Sequence, residues 1–148
     1  IGELVAAAGL RMRTPTAEEN NQRPGSTFEF VRSDAMHQLV LDLRAVGCRT
    51  GVLTNNIREF RDRWRELMDF DSLFDTVVDS HEVGLRKPDR AIYELTLERL
   101  GSVAHESAFL DDVQSNVDAA SRLGMHGVLV ENDQSSAIDT VRRLTGLH

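Results

Sequence analysis

Residues suited to chemistry fall at three places in this 148-residue sequence: Thr-Asn-Asn at 54–56, a lysine at 87, and Asp-Asp at 111–112 followed by Asn116. Two adjacent carboxylates, Asp111 and Asp112, suit Mg²⁺, a hard cation that takes oxygen ligands and commonly uses one or two carboxylates plus water. The Thr54 hydroxyl and a neighbouring backbone N–H can donate to phosphate oxygens. Lys87 adds a compact positive charge with three rotatable donors. Its type stands out, because 16 of the 17 basic residues are arginine and Lys87 is the sole lysine. A pocket that gathers a phosphate, a carboxylate and a metal has more room for an ammonium than for a planar guanidinium. Hydroxyl, amide, ammonium and paired carboxylates together suit phosphoryl transfer.

Each signal also has a plainer reading. Threonine after an apolar run is a common turn or cap residue, and Asp-Asp after a strand often only complements a helix N-terminus. A single lysine can be an accident of composition. Cys48 reads as a small buried apolar residue. The five histidines show no metal-ligand spacing, and Trp64 sits on a packing face. Joint placement decides for chemistry.

That placement comes from the elements. DAMHQLVLDLRAVG (34–47) carries Met36, Leu39, Val40 and Leu43 at helical spacing, with Ser33 or Asp34 as cap. CRTGVLT (48–54), DTVVDS (75–80), SAFLDD (107–112) and HGVLV (126–130) read as short apolar strands. Between and after them, 57–68, 88–101, 115–124 and 134–146 read as helices, with Pro88 in a first turn and Gly101 at an end. Continuous apolar strands alternating with helices imply a parallel sheet covered on both faces, an α/β, Rossmann-like doubly wound fold. In such sheets ligands bind outside the carboxyl ends of the strands. Thr54, Asp111 and Asp112 lie at those ends, and Lys87 in the loop behind one. Residues 34–148 are expected to form this core. Residues 1–33 are polar and turn-rich beyond a possible helix in the first ten, and read as the remnant of a helical cap or a linker.

Composition excludes several classes. A net charge of −7 argues against nucleic-acid binding, which calls for a basic stripe. No apolar run approaches the roughly 20 residues of a membrane span, and IGELVAAAGL has no basic leader of a secretory signal. One cysteine cannot form an internal disulfide, which fits a cytoplasmic protein. Because residue 1 is isoleucine, it is not expected to be the gene's start.

GVLTNN, then VGLRKPD, then FLDDVQSNVDAA, in this order, resembles three motifs of the haloacid dehalogenase superfamily. DTVVDSHEVGLRKPDRAIYELTLERLG resembles most its phosphatase-type branch, which includes the N-terminal domain of soluble epoxide hydrolases. The resemblance covers roughly residues 30–146. It implies that Thr54 and Asn55 bind phosphate and that Lys87 steadies nucleophile and phosphoryl oxygens. It also implies that Asp112, helped by Asp111, holds Mg²⁺, with Asn116 in an indirect role. The implied activity is Mg²⁺-dependent hydrolysis of small phosphorylated metabolites through an aspartyl-phosphate in the intact protein; a homodimer is a possible assembly.

One part of the pattern is absent. The family's nucleophile is the first aspartate of an Asp-x-Asp that closes the central strand, and residues 1–50 contain no such motif. DFD (69–71) follows a helix and so has the wrong context. The expectation is a chain whose nucleophile strand lies upstream, leaving the centre of the sheet open. The alternative is a non-catalytic phosphate-binding or interaction module. A phosphorelay receiver is disfavoured, because there the acidic pair comes first and the lysine last.

Overall fold

The computed structural model describes residues 3–6, 10–13, 29–55 and 70–147. Seven strands are present among the described residues: β1 (Glu3–Ala6), β2 (Leu10–Arg13), β3 (Glu29–Arg32), β4 (Arg49–Thr54), β5 (Thr76–Asp79), β6 (Ser107–Asp111) and β7 (His126–Leu129). The helices are α1 (Asp34–Ala45), α2 (Phe70–Leu73), α3 (Ser80–Val83), α4 (Arg90–Leu100), α5 (Gln114–Leu123) and α6 (Ser135–Thr145). Five strands form one sheet in the order β5-β4-β1-β6-β7, and all its pairs are parallel. The expected doubly wound α/β core is therefore present. No helix among the described residues is long and apolar enough to cross a membrane.

The four apolar runs of the sequence became β4 to β7 within a residue or two. Ser80, placed at a strand end by the sequence, instead opens α3, because the Asp79 side chain accepts from the His81 N–H and caps a helix there. The helix expected over 57–68 lies outside the described residues.

Two expectations about the N-terminal segment are corrected. The centre of the sheet is not open: β1 lies between β4 and β6, with Ala6 opposite Val52 on one side and Leu110 on the other. Where a helix was expected within the first ten residues, Glu3–Ala6 form a strand. Alanine favours helix in isolation, but a short segment between two strands gains a ladder on each side, and tertiary context overrides propensity. Further along, β2 and β3 pair antiparallel as a separate two-stranded ribbon, with Leu10 opposite Arg32.

Alternating strand residues divide the core between the two faces. On one face Leu53, Val78 and Phe109 pack against Ile92, Tyr93 and Leu97 of α4 and Ala119 and Ala120 of α5. On the other, Ala108, Leu110 and Val128 meet Met36, Leu39 and Leu43 of α1 and Ala137 and Val141 of α6. The second layer is fastened at its surface. Ser33, which caps α1, donates its hydroxyl to the Gln134 side chain at the start of α6. Arg142 of α6 reaches Asp42 of α1 at 2.6 Å. At the amino end of β4, remote from the strand tips, Thr50 donates to the Leu73 carbonyl and Asp75 accepts from the Thr50 N–H and from Arg44.

One glycine is demanded by packing. A Cβ on Gly127 of β7 would collide with Ser121 Oγ and stand 2.9 Å from the Val117 carbonyl oxygen, so α5 lies directly on this strand. Because a backbone atom cannot step aside, Gly127→Ala is expected to cost about 1–3 kcal/mol, the range for overpacking. Urea denaturation checks this, and a change below about 0.5 kcal/mol would mean that α5 can lift freely.

Candidate functional site

The site forms around a buried cation. Lys87, in the loop between α3 and α4, places Nζ 2.6 Å from Oδ2 of Asp111, and the two side chains are only 6% and 2% exposed. The ammonium also lies 5.6 Å from the centroid of the Phe109 ring, within cation–π reach. Phe109 and Asp111 are two apart on β6 and so face the same side. A charge pair removed from water this completely persists only if its remaining hydrogen-bonding capacity is also met.

The surroundings meet it on the carboxylate. Asp111 Oδ1 accepts from the Val113 N–H at 2.8 Å, and Oδ2 accepts from Asn116 Nδ2 at 3.2 Å as well as from Lys87. Asn116 is itself buried on the first turns of α5, and its carbonyl accepts from the Tyr93 hydroxyl at 2.8 Å. Burial first, and the Asp111 charge second, push the Tyr93 phenol well above its ordinary pKa, so it stays a donor. Its ring meets Phe109 edge-on at 5.2 Å.

From the other side comes Asn55, just past the tip of β4. Its Oδ1 accepts from the Lys87 N–H at 2.8 Å and its Nδ2 donates to the Lys87 carbonyl at 2.9 Å. Thr54 is the last residue of β4, half-buried, and its register partner on β5 is Asp79. Asn55, Lys87, Asp111 and Asn116 are thus joined by direct bonds. Thr54 and Asp112 flank the cluster, each the chain neighbour of a bonded member. Asn56 lies outside the described residues.

Two of the expected site residues are already engaged within the cluster. Both oxygens of Asp111 accept hydrogen bonds, from Lys87, Asn116 and the Val113 N–H. The Asn55 carboxamide is likewise bonded at both ends to the Lys87 backbone. Sequence reasoning passed over Phe109, Tyr93 and Asp79. Phe109 was within reach, since counting back two from Asp111 along an alternating strand finds the residue beneath the lysine. Asp79 is fully buried, and its Oδ2 has no hydrogen-bond partner among the described residues. Its one sequence sign is the Asp-Ser pair that ends β5.

Asp112 faces outward. Partial burial and then the adjoining Asp111 carboxylate raise its pKa, against a weaker opposing pull from Lys87. Surplus negative charge of this kind is what a bound cation would offset. Among the described residues no three of His, Cys, Asp or Glu gather as a complete cage. The donor set therefore fits Mg²⁺ held by one carboxylate with water and ligand oxygens, the arrangement that ion commonly adopts.

A family model described as haloacid dehalogenase-like hydrolase matches residues 6–124. The chain is 37% identical over 112 residues to acyl-CoA dehydrogenase family member 10 of Mus musculus, covering 75% of this chain and 10% of that protein. It is 34% identical over 115 residues to bifunctional epoxide hydrolase 2 of Mus musculus, covering 75% and 21%. It is 32% identical over 128 residues to a sesquiterpene phosphatase of Aspergillus oryzae, covering 81% and 61%. The chain thus spans 10% to 61% of the length of these relatives. A crystal structure from Corynebacterium glutamicum matches with a TM-score of 0.71 at 23% identity, covering 99% of this chain and 96% of that one. A HAD family enzyme of Bacteroides thetaiotaomicron, solved in complex with magnesium and inorganic phosphate, matches at 0.63 and 22% identity, covering 73% and 60%. At these identities the two structures share its fold.

Two outcomes are expected of the acidic pair. Asp111→Ala leaves the Lys87 ammonium buried and unpaired, which should cost about 3–5 kcal/mol in denaturant unfolding. Asp111→Asn retains an acceptor and should cost less. Equal stability of all three proteins would show that the pair is not held out of water. Asp112 behaves oppositely. Its folded pKa is raised, so the folded state binds more proton and loses stability as pH rises above the ordinary carboxylate value of about 3.9. Asp112→Asn should therefore raise Tm at pH 7 in the presence of a chelator, with the gain vanishing by about pH 3. A variant that melts lower at pH 7 would contradict the sign.

Proposed function

Because this chain belongs to the haloacid dehalogenase-like hydrolase family, we propose that the carboxyl edge of its sheet receives a phosphoryl group and serves a Mg²⁺-dependent phosphatase of small phosphorylated metabolites. The observation that carries this reading is the buried Lys87 ammonium, held by Asp111 beside the tips of β4 and β6. The Thr54 hydroxyl and adjoining backbone N–H groups would donate to phosphoryl oxygens. Lys87 would counter their negative charge from a fixed position, which is worth most where water is excluded. Asp112 would hold Mg²⁺, which when bound supplies further charge stabilisation at those oxygens. The sesquiterpene phosphatase similarity supports this choice within the family.

One observation favours a second reading. β1 occupies the central position, and the sequence from Ala6 runs Ala-Ala-Ala-Gly, with no carboxylate between Glu3 and Glu18. A chain so built would hold a phosphoryl group without an aspartate to attack it.

Both readings are tested with the 148-residue chain, a generic phosphate ester and Mg²⁺. Turnover abolished by Asp112→Ala supports the phosphatase. Binding of inorganic phosphate without turnover, weakened by Lys87→Ala, supports the binding module. Neither turnover nor binding would overturn both. If turnover occurs, Lys87→Ala should lower it roughly 100- to 1,000-fold, as for loss of one preorganised donor. Lys87→Arg should not restore it, since a planar fork cannot occupy the same point. Full activity in Lys87→Arg would refute the role of the lone lysine.

A further inference from the structure

We propose that Asn55 is a positioning residue for Lys87 and acts on a phosphoryl group only through it. The geometry is reciprocal. Lys87 is the second residue of a turn that the Asp89 N–H closes onto the Arg86 carbonyl at 2.9 Å, and it presents its own N–H and C=O to the Asn55 side chain. A carboxamide matches that edge, accepting at its oxygen and donating at its nitrogen. Asn55 does both to Lys87, at 2.8 and 2.9 Å, and only one orientation of the amide makes both bonds. In effect a side chain supplies one rung of antiparallel pairing between the tip of β4 and the lysine loop. Aspartate offers only acceptors and would face the Lys87 carbonyl with a second oxygen. Serine or threonine offers one atom where two are needed.

The lysine is thus fixed at two ends. Asn55 holds its backbone, while Asp111 and the Phe109 ring hold its ammonium. The Thr54 hydroxyl is carried by the residue next to the clamp, so clamping ties the two phosphoryl-facing groups into one rigid unit. Asn55 is exposed, yet both of its hydrogen-bonding ends are committed to Lys87. The consequence for phosphate rests on the function proposed above; the clamp itself does not.

Because Lys87 is the sole lysine, a chain labelled with ¹⁵N-lysine gives one backbone amide and one ammonium resonance. Asn55→Ala should speed exchange of the Lys87 amide at least about tenfold, as for loss of two hydrogen bonds of ordinary net strength. It should also shift the ammonium resonance and weaken binding of inorganic phosphate in Mg²⁺. Asn55→Asp, which keeps an acceptor for the Lys87 N–H, should fall between parent and Asn55→Ala in amide exchange. Both variants should still unfold in one cooperative transition, with the midpoint of Asn55→Ala modestly below that of the parent because two bonds are lost from the folded state. If phosphate binding falls while both lysine resonances and the amide exchange match the parent, Asn55 is a direct ligand and the proposal fails. It also fails if neither variant alters the lysine signals. A parent chain that binds no phosphate would refute the function proposed above, while the lysine signals would still decide the clamp.

Discussion

The ion pair between Lys87 and Asp111 sets the terms for everything around it. Two opposite charges withdrawn from water are stable only when each remaining lone pair and proton is answered. That requirement accounts for the Val113 N–H on one carboxylate oxygen, the Asn116 amide on the other, and the Phe109 face beside the ammonium. It accounts at one remove for Tyr93, whose hydroxyl fixes the backbone of Asn116 and whose ring steadies Phe109. Neighbouring carboxylates are thereby given different tasks. Asp111 turns inward and is consumed, while Asp112 turns outward, its pKa raised by partial burial and then by Asp111.

This pair also localises attraction in a molecule whose overall field points the other way. With a net charge of −7, the chain repels anions at a distance. An arginine-rich surface is screened by solvent and salt, whereas an ammonium under low-dielectric walls is screened far less. A fixed lysine in such a place can favour a doubly charged ester once it has arrived, even though long-range steering does not bring it there.

Much of this was legible in the sequence, for identifiable reasons. β4 to β7 were visible as apolar runs too short for helices, and α1, α4, α5 and α6 as periodic segments with Gly or Pro punctuation. That the polar residues after β4 and β6 would lie at one edge of the sheet followed from parallel topology alone. What could not be read was direction. Whether Asp111 or Asp112 turns inward depends on the phase of β6, and the Asn55 clamp depends on where a loop returns 32 residues further on. Nor could four residues ending in alanine be recognised as a central strand. Their conformation is set by β4 and β6 on either side, which enter the sequence about 40 and 100 residues later.

The clasp between α1 and α6 has a consequence for how the protein is made. Ser33 to Gln134 and Asp42 to Arg142 join partners 101 and 100 residues apart. Synthesis runs from the amino end, so α1 is made long before α6, and β6 and β7 also precede it. Until Ala137 and Val141 arrive, the face bearing Ala108, Leu110 and Val128 has only half of its cover. A nascent chain in that interval carries a ready-made greasy surface of the kind that chaperones hold and neighbouring polysomes aggregate. Docking of the eleven-residue α6 is what covers that surface, so the two clasps hold shut the layer on which the β6 and β7 side chains depend.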